Sequence, residues 1–191
     1  NTINTQAGQI NNREQVAGFF RDTNRKRHGF VWDKGSFQIF NVPNDHVTGG
    51  TLGWGINNKG DVVGSFIDSS VNRHGFLLRK GVFTVIDPPG SLDTLAWSIN
   101  DDGVIVGQYF TDAVHGFILK DGVYTTLDIP NGLNASPNTI NNEGYIAGSY
   151  DDPTGATHGF ITKMGSLDVE TRRGNGRASG IGATIIKRER F

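Results

Sequence analysis

The chain has 191 residues, 27 of them Gly and none Cys, with 36% hydrophobic residues and a net charge of −1. That apolar content excludes a disordered chain, the lack of Cys excludes a disulfide scaffold, and near-neutrality gives no pull toward nucleic acid or an anionic membrane. No apolar run approaches the ~18 residues of a transmembrane helix, so no membrane span is expected.

The first predicted strand, 5–10, ends on Ile10-Asn11, and Ile-Asn recurs at Ile56, Ile99 and Ile140 with spacings of 46, 43 and 41 residues. His-Gly-Phe recurs at His28, His74, His115 and His158, spaced 46, 41 and 43. A period of roughly 40–47 residues fits a four-stranded propeller blade and also a helical repeat, so the pattern inside the unit decides.

In the second unit, 51–56 reads as a strand and Asn57-Asn58-Lys59-Gly60 as a tight turn. Residues 61–67 follow as a strand and 68–73 as a polar loop. Residues 74–79 form a third strand, Lys80-Gly81 a turn, 82–87 a fourth strand, and Pro88-Pro89-Gly90 ends the ladder. Short strands at this spacing, with no 3.6-residue apolar period, exclude helical repeats. The third and fourth units repeat the turn as Asn100-Asp101-Asp102-Gly103 and Asn141-Asn142-Glu143-Gly144. The first has Glu14 where Gly is expected, so either that turn differs or a non-Gly residue bears mild backbone strain there.

The sequence thus predicts an all-β fold, a single β-propeller domain over 1–191. Four complete four-stranded blades occupy about 5–42, 51–87, 94–128 and 137–171. A partial fifth blade is expected at 177–191, where Arg177 to Ile181 returns to the first-strand pattern and two strands fit before the end. It is expected to pair with residues 1–4 and close the ring, or to leave a gap that a second copy fills as a homo-oligomer.

The motifs Ile-Asn-Asn-x-Gly, Val-x-Gly, His-Gly-Phe and Phe-Thr-x-Ile-Asp-x-Pro together resemble the HAF repeats of bacterial extracellular proteins. The resemblance runs from residue 5 to about 171, with matches at His28, His74, His115 and His158, and is degraded after Glu170. It implies secretion and a propeller-like fold. It implies no general activity.

Four equivalent His could bind a metal near an axis. Each instead opens a third strand, away from that axis, and three follow an Asp by six residues (Asp22, Asp68, Asp152), while Asp112 precedes His115 by three. They are expected to be structural, closing each loop by an Asp–His hydrogen bond, with no metal or cofactor. Gly18, Gly64, Gly107 and Gly148 in second strands, and Gly29, Gly75, Gly116 and Gly159 in third strands, mark close approaches, expected against Phe30, Phe76, Phe117 or Phe160 of a neighbouring sheet. Acidic turns such as Asp101-Asp102 lack the oxygens of a calcium loop. No nucleophile elbow, zinc-protease motif or phosphate loop occurs.

Trp54 and Trp97 share one first-strand position, where the other units have Gly8, Asn138 and Ser179. A position that varies between units is less demanded by the fold, and both are candidate ligand-binding residues near the axial mouth. Basic clusters at 21–27, 172–177 and 187–190 read as solvated faces, with polyanionic glycan binding as the functional alternative. Two functions follow as expectations. One is a secreted, non-enzymatic recognition module binding glycan or cell-surface ligands at the propeller face. The other is a secreted glycan-active hydrolase or lyase with convergent carboxylates in an axial pocket.

Overall fold

The structure, a computed structural model, describes residues 2–165 and the strand segments 168–172, 178–182 and 185–190. It is all-β: four antiparallel sheets follow one another along the chain. Among the described residues no helix is long and apolar enough to cross a membrane.

The first sheet is a meander of β1 (Thr2–Ile10), β2 (Val16–Asp22), β3 (Arg27–Asp33) and β4 (Ser36–Phe40). The second repeats it with β5 (Thr51–Ile56), β6 (Val62–Ile67), β7 (Arg73–Arg79) and β8 (Val82–Ile86). In the third, β9 (Asp93–Ile99), β10 (Ile105–Phe110), β11 (Val114–Lys120) and β12 (Val123–Leu127) follow the same order. The fourth comprises β13 (Leu133–Ile140), β14 (Tyr145–Asp151), β15 (Thr157–Lys163) and β16 (Asp168–Arg172). The unit borders agree with the repeat period because each sheet is one local meander, with its register fixed by short turns. Lys34-Gly35, Lys80-Gly81 and Asp121-Gly122 join third and fourth strands with both residues at positive φ (46° and 90° in the first), the two-residue turn that matches strand twist. Glu14 sits at φ 63° where the other units have Gly60, Gly103 and Gly144, so a non-Gly residue does carry the left-handed backbone there.

The segment expected to open a fifth blade behaves differently. β17 (Ala178–Gly182) pairs antiparallel with β16, and β18 (Ile185–Arg190) with β12. Both extend outer edges of existing sheets. Residues 2–4 do not receive them: Thr2 and Asn4 pair with Asp22 and Arg21 of β2. The physical reason is that β12 and β16 each have an open edge whose unpaired backbone groups a further strand satisfies.

Apolar cores lie between consecutive sheets. Ala17 of the first meets Ile56, Val62, Phe66 and Phe76 of the second. Val63 and Ile86 of the second meet Ala96, Ile99, Ile105 and Phe117 of the third. Val104, Val106 and Leu127 of the third meet Ile140, Ile146, Tyr150 and Phe160 of the fourth. Ile56, Ile99 and Ile140 therefore each face the preceding sheet, at 4%, 3% and 6% exposure, whereas their counterpart Ile10 is 67% exposed. Phe37, the counterpart of Phe83 and Tyr124, is 60% exposed. The outer face of the first sheet is thus an uncovered copy of an interface that the chain makes three times.

The second-strand glycines correct one expectation. Gly18, Gly64, Gly107 and Gly148 lie under the rings of Phe30, Phe76, Phe117 and Phe160, which are their cross-strand partners in the same sheet, not residues of a neighbouring one. The ring covers the missing side chain, so Gly and Phe form one packing unit within each sheet.

Candidate functional site

The first strands β1, β5, β9 and β13 of the four sheets converge. β5 packs on β1 and β9, and β13 packs on β9. Gln9 Nε2 of β1 reaches Ser98 Oγ of β9 at 2.9 Å and Thr139 Oγ1 of β13 at 3.4 Å.

At one end of this centre the four Asn turns meet. In each, the first Asn uses Oδ1 to accept backbone N–H groups of its own turn, as Asn57 does from Lys59 (3.0 Å) and Asp61 (2.9 Å). Its amide then donates to the next unit: Asn11 Nδ2 to Asn57 O (2.8 Å), Asn57 Nδ2 to Asn100 O (3.1 Å), Asn100 Nδ2 to Asn141 O (3.1 Å). The second position runs the same way. The backbone N–H of Asn12, Asn58 and Asp101 donates to the side-chain oxygen of Asn58, Asp101 and Asn142. The Ile-Asn-Asn signature is therefore a directional staple between sheets as well as a turn.

These turns line a mouth of about 540 Å³. Asp101 is the one carboxylate among the described residues lining it. Burial works to raise its pKa, but hydrogen bonds from the Asn58 amide and backbone N–H and from the Asn142 amide outweigh this and hold it below the usual carboxylate value.

Trp54 and Trp97 lie on β5 and β9, two residues before Ile56 and Ile99, and both are partly exposed. Their rings touch at 5.1 Å between centroids, tilted by 59°, and Phe19 meets Trp54 edge-on at 5.2 Å. Each indole N–H is held: Trp54 Nε1 by Ser65 Oγ at 3.3 Å, Trp97 Nε1 by Gln108 Oε1 at 3.5 Å. Ser136 Oγ lies 2.6 Å from Gln108 Oε1 and 2.9 Å from Asn138 Oδ1. Gly8, at the same position on β1, lies against the Trp54 backbone carbonyl. The arrangement is an aromatic pair beside uncharged amides and hydroxyls. Gln9, Gln108 and Ser136 carry no repeat signature, so the sequence did not single them out.

The repeat His residues lie apart from this centre. His28, His74 and His158 place Nε2 at 3.4, 3.2 and 2.8 Å from Asp22, Asp68 and Asp152, the carboxylates six residues earlier. His115 pairs instead with Asp128, at 3.0 Å through Nδ1, not with Asp112. Asp112 instead accepts from the Thr111 hydroxyl at 2.8 Å. Asp128 belongs to a second partner set that reading for preceding Asp missed, thirteen residues after the His: Asn41 for His28 (2.8 Å), Asp87 for His74 (2.6 Å). Each ring also lies against an aromatic of the second strand: His28 stacks on Phe20 at 5.0 Å, and His74, His115 and His158 meet Phe66, Tyr109 and Tyr150 tilted by 32–36°. Among the described residues no three His, Asp or Glu side chains are grouped to hold a metal ion.

His74 shows the consequence for pH. Burial lowers its pKa, but the hydrogen bonds and charges of Asp87 and Asp68 prevail and raise it above 6.5. A raised folded-state pKa stabilises the fold fully below the unfolded value and loses that contribution as pH rises through the folded value. Asp68 is held low mainly by the Asn72 N–H, with His74 adding to it, so its contribution is lost only as pH falls through that lowered value. The melting-temperature advantage of wild type over His74→Asn is therefore expected to shrink as pH is raised from about 6 to about 8. Thermal scans across that range check it, and an advantage that grows with pH would refute the assignment.

No family model matches the chain, and no curated protein matches it. Among solved structures, the crystal structure of a triple arginine-to-alanine mutant of AofleA from Arthrobotrys oligospora is similar. It is 10% identical, with 97% of this chain and 73% of that one covered and a TM-score of 0.39. A similarity this weak assigns neither family nor activity.

Proposed function

We propose that the four sheets are blades of a β-propeller with their first strands innermost, and that the protein is a secreted, non-enzymatic recognition module binding glycan or cell-surface ligands. The carrying observation is the Trp54–Trp97 pair, partly exposed and locked by its indole hydrogen bonds. A sugar offers an apolar C–H face and a rim of hydroxyls. Fixed indole faces suit the first, and the neighbouring Gln108, Ser136 and Asn138 suit the second. Secretion rests on the resemblance to extracellular HAF repeats. A glycan array with wild type and Trp54→Ala/Trp97→Ala tests the reading. Wild type is expected to bind a subset of glycans, and the double variant to weaken each on the order of tenfold or more. No glycan bound by wild type, or binding indifferent to the double variant, would overturn it.

We infer also that a second copy of the chain covers the open face of the first sheet. Ile3, Ile10, Phe37 and Ile39 are more than half exposed there. At the other end Gly159 is exposed on β15, while Gly75 and Gly116, its counterparts, meet Thr94 and Pro137 of the following sheet. The two faces are the halves of the interface that already joins consecutive sheets, so copies fit head to tail. Sedimentation of wild type is expected to show concentration-dependent association, and Ile10→Lys to remove it. A wild type that stays monomeric at about 100 μM, far above the Kd of a stable contact, would refute this.

A further inference from the structure

A groove of about 450 Å³ lies where the β2–β3 loop of the first sheet approaches the segment before β5, away from the tryptophan pair. Arg21, Arg25, Arg27 and His46 line it, with Arg73 close enough to Arg27 to act on its charge. Arg21 and Arg27 are half-buried, and the Nε of Arg21 is buried with no hydrogen-bond partner. Among the described residues no ion pair ties any of these four guanidiniums.

The carboxylates nearby have other partners. Asp45 is held by Lys26 (2.6 Å) and the Thr51 hydroxyl (2.7 Å). Asp22 accepts from the Lys26 N–H at 2.8 Å and contacts His28, and Asp68 contacts His74. Arg27 anchors the wall of the groove through Gly49 O at 3.4 Å. His46 Nδ1 accepts from the backbone N–H of Thr48 and Gly49, both at 3.2 Å, so Nε2 carries the proton and is a further donor.

Holding like charges together, partly out of water and without a counter-charge, is unfavourable, and the Arg27 pKa is lowered by its burial and by the charges of Arg21 and Arg73. An anion relieves both costs. Guanidinium forks match the paired oxygens of a tetrahedral oxyanion, and a groove open to solvent admits one that projects from a larger ligand. We propose that this groove is an oxyanion site that takes a sulfate ester of a glycan. The oxyanion part stands on the arginine cluster alone, and the glycan part rests on the recognition reading.

The experiment uses the full chain at fixed ionic strength, with sodium chloride as the control. Inorganic sulfate is titrated first, followed by NMR or by the melting temperature, and then a sulfated polysaccharide against its desulfated form. Sulfate is expected to bind with saturation beyond the chloride control. Arg27→Gln, and separately the exposed Arg25→Gln, which leaves the half-buried framework in place, are expected to weaken it about tenfold. The sulfated polymer is expected to bind and the desulfated one not to bind at this groove, with Trp54→Ala leaving the sulfate titration unchanged. No response to sulfate beyond chloride, or equal responses from wild type and both variants, overturns the site. Saturable sulfate binding without discrimination between the two polymers overturns the glycan sulfate as its ligand and counts against the glycan reading, while the oxyanion site stands.

Discussion

Asn57→Ala is expected to lower the stability of the chain by about 3 kcal/mol, far more than the same change at Asn141. Asn57 is 3% exposed and makes four hydrogen bonds from one side chain. Its Oδ1 takes the Lys59 and Asp61 N–H groups, and its Nδ2 serves Asp61 Oδ2 (3.1 Å) and Asn100 O (3.1 Å). Truncation leaves several polar groups unpaired, those of Asp61 and Asn100 among them buried. Asn141 makes the same turn, accepting from Glu143 and Tyr145, but it is exposed and, among the described residues, is the last of the relay. Its replacement is expected to cost about 1 kcal/mol, the value of a turn cap that solvent partly replaces. The difference isolates what the link between sheets contributes. Urea unfolding of both variants measures it, and equal losses would reduce the Asn motif to a local turn.

The fold was legible because it is local. Each sheet is a meander of some forty residues, and its signals (Asn-Asn turns, Lys-Gly or Asp-Gly hairpins, Phe opposite Gly) act between residues close in sequence. The Asn turn was readable as a turn. Its second role was not, because Asn11 and Asn57 are joined across 46 residues and only the assembled centre brings them together. Gln108 likewise meets Ser136 of the next sheet across 28 residues, whereas Asp128 lies in the same unit as His115, thirteen residues on, and was missed because the repeat pointed to an Asp before each His. The C-terminal strands were misplaced for a related reason. Ser179 to Ile181 repeats a first-strand pattern, but a pattern states what a strand is made of and not which edge it joins, and the strands joined β16 and β12. Trp54 and Trp97 stood out for the opposite reason, as departures from the repeat.

Gly64→Ala is expected to be among the most damaging single-methyl changes in the chain. A Cβ on Gly64 falls 2.7 Å from the Phe76 ring and closer still to the Leu52 carbonyl oxygen. Neither neighbour moves freely: Phe76 is fully buried between two sheets, and the carbonyl belongs to β5. Over-packing of this kind costs about 1–3 kcal/mol or more, and Phe76→Leu in the same chain is expected to recover only part of it, because the backbone clash persists. Among the described residues the nearest atom that a Cβ on Gly159 meets is Gly148 O at 3.9 Å, and Gly159 is exposed. The contrast has a further consequence if copies associate head to tail. Gly159 then faces the first sheet of the next copy, as Gly75 faces Thr94, and a bulky Gly159→Trp is expected to abolish association. Melting curves of Gly64→Ala and sedimentation of Gly159→Trp decide the matter. A Gly64→Ala chain as stable as wild type would remove the Gly–Phe unit as an organising contact of the sheets, and a Gly159→Trp chain that still associates would place the contact between copies elsewhere.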